Sequence, residues 1–233
     1  MDVEVKPHPK FQGVFEVRLE NHTRRIATES LTPGRTVYGE RLIKAGEKEY
    51  RLWDPFRSKL AGSILKGLTR LPVERGQKVL YLGAASGTTA SHVSDLVGKE
   101  GYVYCVEFAH RSIRDLINNV CRFRGNMAPV LADARLPKQY AMLVGKVDGI
   151  YCDVAQPEQA IILANNAKAF LKEQGWGMLA IKARSIDVTQ QPSKVYKQEI
   201  KVLENNGFAI IEVLHLEPYD KDHAMVSATY TPK

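Results

Sequence analysis

Five residues stand where apolar runs begin or end, and their types could do chemistry together. Glu107 closes the core of GYVYCVEF (101–108), Asp133 closes APVLAD (128–133), and Asp153 closes DGIYCD (148–153). Lys182 ends the apolar part of WGMLAIKA (176–183), and His223 opens HAMVSATY (223–230). Ahead of them, Gly83-Ala84-Ala85-Ser86-Gly87 follows the run KVLYLGAA (78–85) and leads into a helical pattern. Ligands of open α/β sheets bind beyond the carboxyl ends of the strands, where such loops lie. A dinucleotide fingerprint would read G-x-G-x-x-G, so that backbone can approach a pyrophosphate. Ala85 replaces the middle glycine, which suits a cofactor without phosphates. A carboxylate at Glu107 can accept both hydroxyls of a ribose, and one at Asp133 can meet an adenine amino group. The adenosine part of S-adenosylmethionine (SAM) needs such contacts, and NAD would need them as far as its ribose. Asp153 and Lys182 face the same crevice as the glycine loop. Lys59 lies at the start of the helix that precedes the first strand-helix unit. Singly, these could be a cap, a snorkelling lysine or a turn histidine.

The elements that must position these residues read from periodicity. Residues 1–55 are β-rich: Val14, Phe15 and Val17 form a strand-like run, and RLIKAGEKEYRLW (41–53) reads as a hairpin turning at Ala45-Gly46-Glu47. From residue 56 to 233 helix and strand alternate. Leu60, Ile64, Leu65 and Leu68 form one helical face, and Thr88 or Thr89 is expected to cap the helix carrying Ala90, Val93 and Leu96. Ile113, Leu116, Ile117 and Val120 form another stripe, a helix runs from Pro157 through Leu171, and residues 193–206 are helical. Repeated βα units predict a mostly parallel sheet. The last two strands, 208–216 and 223–230, are joined too tightly for a parallel crossover and must pair antiparallel. The expected fold class is therefore α/β: a Rossmann-like sheet with an antiparallel strand near its end, the plan of class I SAM-dependent methyltransferases, plus a small N-terminal antiparallel β domain.

Composition narrows the class. The chain has 233 residues, 44% hydrophobic and 25% charged, which excludes a disordered or collagen-like protein. Lys and Arg number 33 against 26 Asp and Glu, a net charge of +7. Residues 1–80 hold 16 of the basic and 10 of the acidic residues, so the excess sits in the first third. A second cluster, Arg111, Arg114, Arg122 and Arg124, has only Asp115 against it and reads as a solvated face. The three cysteines, Cys105, Cys121 and Cys152, form no C-x-x-C, which fits a reducing compartment better than disulfides or zinc. No apolar run approaches the roughly 20 residues of a membrane helix, and MDVEVKPHPK has no signal character, so a cytoplasmic protein without a membrane partner is expected.

Several longer motifs resemble the fibrillarin family in its short archaeal form. They are TPGRTVYGER (32–41), YRLWDPFRSKLAGSI (50–64), VLYLGAASGTTASHVSD (79–95), VYCVEFAHRSIRDL (103–116), ADAR (132–135), CDVAQPEQA (152–160), AIKARSID (180–187) and LEPYDKDHAMV (216–226). Together they span nearly the whole chain, without the glycine- and arginine-rich region of the eukaryotic proteins. The resemblance implies a SAM-dependent RNA ribose 2′-O-methyltransferase acting within a box C/D guide ribonucleoprotein on ribosomal and transfer RNA. It implies as partners the guide and target RNA, a Nop-domain scaffold protein and, through the assembled complex, a kink-turn-binding protein. Matched by position, SAM contacts fall on Thr88, Thr89, Glu107, Phe108, Asp133, Ala134, Asp153 and Gln156, beside the loop residues Gly83 and Ala85. The Lys-Asp-Lys set of ribose methyltransferases falls on Lys59, Asp153 and Lys182. His223 stands where the wider class usually has glutamate.

A 2′-hydroxyl is a poor nucleophile until its proton is removed or shared. A neighbouring lysine and partial burial lower a lysine's pKa, while a carboxylate raises it. Lys182 is expected to be base or orienter, Lys59 to tune it and contact phosphate, Asp153 to fix the ammonium groups and the methionine end of SAM, and His223 to position the substrate. Three other readings stay open: a guide-independent RNA 2′-O-methyltransferase, an NAD(P) oxidoreductase, which Ala85 disfavours, and a non-catalytic ribonucleoprotein subunit.

Overall fold

The computed structural model describes residues 3–232. The chain begins with five strands, β1 (Glu4–Pro7), β2 (Val14–Arg18), β3 (Arg24–Glu29), β4 (Leu42–Ala45) and β5 (Lys48–Trp53). They form an antiparallel sheet in the order β1-β2-β3-β5-β4. The β4–β5 hairpin turns at Gly46 (φ +62°), as the sequence leads one to expect. The strands at 4–7 and 24–29 carry no clear alternation; their pairing is set by β2, which lies between them.

After α1 (Lys59–Leu65) the chain alternates: β6 (Lys78–Leu82), α2 (Thr88–Val97), β7 (Tyr102–Glu107), α3 (His110–Asn119), β8 (Met127–Leu131), β9 (Val147–Cys152), α4 (Gln159–Phe170), β10 (Leu171–Lys182), the short α5 (Ala183–Ile186), α6 (Pro192–Asn205), β11 (Phe208–His215) and β12 (His223–Tyr230). The second sheet is ordered β11-β12-β10-β9-β6-β7-β8. Strands β6 to β10 run parallel, and β12 is antiparallel to both β10 and β11. Two-residue alternation sorts the strand side chains onto opposite faces. Val79 and Tyr81 join the core under α1, α2 and α3, whereas Leu80 and Leu82 join the core under α4 and α6. No helix among the described residues is long and apolar enough to cross a membrane.

Some details depart from the sequence-based expectation. The N-cap of helix α2 is Gly87, in the left-handed region (φ +94°) that favours glycine, and not Thr88 or Thr89, which are the helix's first two residues. Strand β10 pairs with β9 already at Leu171, shifts register, and resumes at Trp176, so it starts five residues early. Leu68 is buried but lies beyond the end of α1. Arg124 is buried, unlike the solvated cluster it was grouped with.

The N-terminal sheet has a small core of its own around Val17, Ala27, Ile43 and Tyr50. Its other face is continuous with the larger core through Val14, Ile26 and Trp53. A buried charged network reinforces this junction. Arg51 on β5 is fully buried and pairs with Glu40 at 2.6 Å and with Asp95 of α2 at 2.7 Å. Arg124 pairs with the other oxygen of Asp95 at 2.6 Å. Two positive and two negative groups thus balance where a lone charge would be costly. His92 of α2 lies between Thr28 Oγ1 and Tyr38 Oη, each 2.8 Å from a ring nitrogen. Burial first, then Arg51 and Arg124, hold its pKa well below the ordinary histidine value.

Candidate active site

The parallel strands end at one edge of the sheet, and four of the chemical residues lie there because each terminates its strand. Gly83 follows β6 with φ +80°, and a Cβ on it would meet the Asp153 carbonyl oxygen at 2.8 Å. Glycine is therefore what allows the ends of β6 and β9 to approach so closely. Ala85 also has a left-handed backbone, φ +47°. Its N–H donates to Glu107 Oε2 at 2.9 Å, while Ala109 N–H donates to Oε1 at 2.8 Å. Glu107 thus clamps the glycine loop to the start of α3, with one lone pair on each oxygen left over for a ligand.

A cavity of about 430 Å³ opens beside this loop. Its lining brings together Gly83, Ala85, Glu107, Phe108, Ala134, Asp153, Gln156 and Lys182, with apolar walls from Val106, Val154 and Pro157. One buried acceptor, Gln156 Oε1, has no hydrogen-bond donor among the described residues. Buried polar atoms are rarely left so. Apolar walls, a carboxylate that can face two hydroxyls and an unfilled acceptor fit an adenosyl amino acid such as SAM.

Three expected ligand contacts lie outside the lining of this cavity. Asp133 does not line the cavity; Arg135, two residues on, holds its carboxylate with contacts of 2.6–3.1 Å and lowers its pKa. Thr89 is buried and donates to Ser58 Oγ at 3.0 Å. Thr88, the first residue of α2, does not line the cavity, and its carbonyl accepts from Ser91.

Lys59 reaches the site by a different route. Ser58 caps α1, accepting from Ala61 N–H, and also accepts from Trp53 Nε1 at 2.9 Å. This single hydroxyl ties the end of β5, the start of α1 and α2 together, and so fixes the first residue of α1. Lys59 Nζ lies 3.2 Å from Asp153 Oδ1, and Lys182 Nζ lies 2.9 Å from the same oxygen. Both face that oxygen as ion pairs, and Lys59 Nζ also donates to the other carboxylate oxygen at 3.4 Å. Lys182 Nζ also donates to the Asp153 carbonyl at 2.8 Å. Burial disfavours charge on Lys59, but Asp153 and Asp220 outweigh it, and the pKa is raised.

Two residues that pattern reading passed over complete the cluster. Asp220 lies 3.5 Å from Lys59 Nζ through one oxygen and 2.9 Å from His223 Nδ1 through the other. Burial pushes its pKa up, but His223 and Lys59 together bring it below the usual aspartate value. Its place three residues before His223 was the available signal. Gln159, wholly buried at the start of α4, accepts from Lys182 N–H at 2.9 Å and donates to the Lys182 carbonyl at 3.4 Å. No spacing marks it out. The His223 Nδ1 atom meets two acceptors, Asp220 Oδ1 and, at 2.6 Å, the Lys221 carbonyl, so Nδ1 carries a proton and Nε2 is the ring nitrogen not engaged by them.

Comparison with known proteins follows the same line. The family model described as Fibrillarin matches residues 5–232. A protein of Staphylothermus marinus named fibrillarin-like rRNA/tRNA 2′-O-methyltransferase is 55% identical over 231 residues, 99% of this chain and 98% of that protein. The crystal structure of Aeropyrum pernix fibrillarin with natively bound S-adenosyl-L-methionine superposes with a TM-score of 0.92 at 54% identity, covering 97% of this chain and 99% of that one. A fibrillarin/Nop5p complex has a chain that matches with a TM-score of 0.81 at 44% identity, over 88% of this chain and 94% of that one. With a family match over almost its whole length and relatives above half identity, this chain belongs to the fibrillarin family.

Proposed function

We propose that the protein is a SAM-dependent RNA ribose 2′-O-methyltransferase and the catalytic subunit of a box C/D guide ribonucleoprotein that modifies ribosomal and transfer RNA. The observation that carries this reading is the meeting of Lys59 and Lys182 on one oxygen of Asp153, at the rim of the cavity closed by Gly83, Glu107 and Gln156. In this reading residues 1–55 are a small β domain and residues 56–233 the methyltransferase domain. The protein works in the cytoplasm, with guide and target RNA, a Nop-domain scaffold and, through the complex, a kink-turn-binding protein as its partners.

Gly83, Ala85, Glu107, Phe108, Ala134, Asp153 and Gln156 would hold the cofactor; Thr88, Thr89 and Asp133 would act from behind this shell. When bound, SAM supplies a sulfonium methyl group already activated for in-line displacement by an oxygen. The chain's own residues then have to align that oxygen, and alignment is worth several orders of magnitude in rate. Lys182 Nζ has two directions committed to Asp153 and one left over, with which it orients or deprotonates the hydroxyl. Lys59, kept charged by Asp153 and Asp220, tunes Lys182 and contacts the adjoining phosphate. His223, held through Nδ1, positions the substrate with Nε2.

Titration calorimetry tests the cofactor assignment. SAM binds with an affinity that the Gln156→Ala variant loses, and NAD gives no heat of binding. Binding of NAD with SAM silent would contradict it.

A further inference from the structure

The β9–β10 ladder ends at Cys152 and Leu179, before Lys182 is reached. Beyond it the side chain of Gln159 does what a neighbouring strand would do. Its Oε1 accepts from Lys182 N–H at 2.9 Å, and its Nε2 donates to the Lys182 carbonyl at 3.4 Å. Gln159 has no exposed surface. Its amide has one usable orientation there, because turning it over would set donor against donor and acceptor against acceptor. A second contact holds Gln159 in turn. It is the first residue of α4, and the opening N–H groups of a helix have no partner inside it. Glu158, the N-cap, makes no side-chain cap bond. Glu199, which α6 brings alongside, accepts instead from the next N–H, that of Ala160, at 2.8 Å. It is buried, and a carboxylate is favourable at a helix N-terminus.

Lys182 is therefore held at both ends: Asp153 takes its ammonium group and Gln159 its backbone. A lysine stem is flexible, so holding the tip alone would leave the root free to shift. Asp153, Gln156 and Gln159 all belong to CDVAQPEQA (152–160), so one segment carries part of the cavity wall and both holds on the lysine. Neither Gln159 nor Glu199 lines the cavity itself. We infer that Gln159 is a positioning residue for Lys182, and that Glu199 acts on the reaction by keeping Gln159 in place. The inference rests on the methyltransferase reading, since it assigns these residues to the alignment of that reaction's lysine.

The test is single-turnover methylation of a matching target by the complex reconstituted with guide RNA, scaffold and kink-turn-binding protein, beside calorimetry with SAM. Gln159→Met keeps the length and volume of the side chain and loses both hydrogen bonds. It lowers the saturating rate about ten- to 100-fold. SAM affinity and the target concentration for half-maximal rate stay as they are. Glu199→Leu slows the reaction in the same way, and Glu199→Gln, which still accepts from Ala160 N–H, restores it. The double variant, Gln159→Met with Glu199→Leu, is no slower than Gln159→Met, because the second residue works through the first. In nitrogen-edited NMR spectra of the intact chain, Gln159→Met exchanges the Lys182 amide hydrogen about ten-fold faster, while that of Leu179 is unchanged. A normal rate in Gln159→Met, lost SAM affinity with the saturating rate kept, or losses that multiply in the double variant would overturn the inference. Should Gln159→Met not fold, Glu199→Leu decides by the same readouts, and a normal rate there overturns it. An unaltered chain that neither binds SAM nor methylates would strike the methyltransferase reading, and the inference with it; an active complex indifferent to both substitutions would strike the inference alone.

Discussion

Lys182 and His223 are register partners across the β10–β12 pair. One ends a parallel strand and the other begins an antiparallel one, so two residues 41 positions apart meet at the same edge of the sheet. Directly opposed residues of an antiparallel pair project from the same face. Had β12 run parallel, its first residue would lie at the far edge of the sheet. The reversed last strand is thus the device that brings a histidine to the carboxyl ends of β6, β7 and β9.

Removal of Lys182 should separate catalysis from cofactor binding. Lys182→Ala is expected to lower single-turnover methylation by roughly 100-fold or more, since one misplaced group costs about that much. SAM affinity by calorimetry should stay within about three-fold, because the stem of one lysine is a small part of the cavity wall. Near-normal turnover would remove Lys182 from the mechanism.

Asp220 acts through others. It touches Lys59 and His223 together, and Asp220→Ala frees both. A loss of roughly 10- to 100-fold in kcat with SAM affinity unchanged is expected. Asp220→Glu should recover part of the rate, as it keeps the charge. A variant with altered SAM affinity and normal kcat would show that the carboxylate serves the cofactor instead.

The buried network at the sheet junction should carry much of the stability. Arg51→Ala leaves Asp95 and Glu40 without their shared partner, with Arg124 alone to offset them. Stranding a buried charge costs about 3–5 kcal/mol. Urea denaturation would read this as a lower midpoint with a similar slope. A change under 1 kcal/mol would show that water reaches the network.

The strand-end residues were legible because a parallel sheet collects the carboxyl ends of its strands on one edge, and apolar runs show where strands stop. Asp153, Lys182 and Glu107 are found that way. The rest depends on contacts between distant segments. Arg51 sits in EYRLW, where alternation makes it look solvated; Glu40 and Asp95, the latter 44 residues on, make its burial tolerable. Asp133 and Thr89 also have partners, Arg135 and Ser58, that no spacing in the sequence announces. Asp220 lies in a loop whose shape no periodicity describes.

Acid should weaken the same junction through His92. Its folded pKa is depressed, so its contribution is complete above the unfolded value near 6.5 and is lost as pH falls below that toward the folded value. The loss is about 1.4 kcal/mol for each pH unit in that window. Comparing unfolding free energies at pH 7.5 and 5.5, the unaltered protein should lose more than His92→Gln does. Equal losses would mean that the ring is protonated in the folded state.

The most direct measurement is reconstitution. The protein is combined with a Nop-domain scaffold, a kink-turn-binding protein, a box C/D guide RNA, a matching target RNA and methyl-labelled SAM, and the modified position is mapped. The account predicts one 2′-O-methyl group, on the ribose that the guide selects, and none when guide or scaffold is omitted or Lys182 is replaced. Label on a base, or efficient methylation of bare RNA by the chain alone, would contradict it.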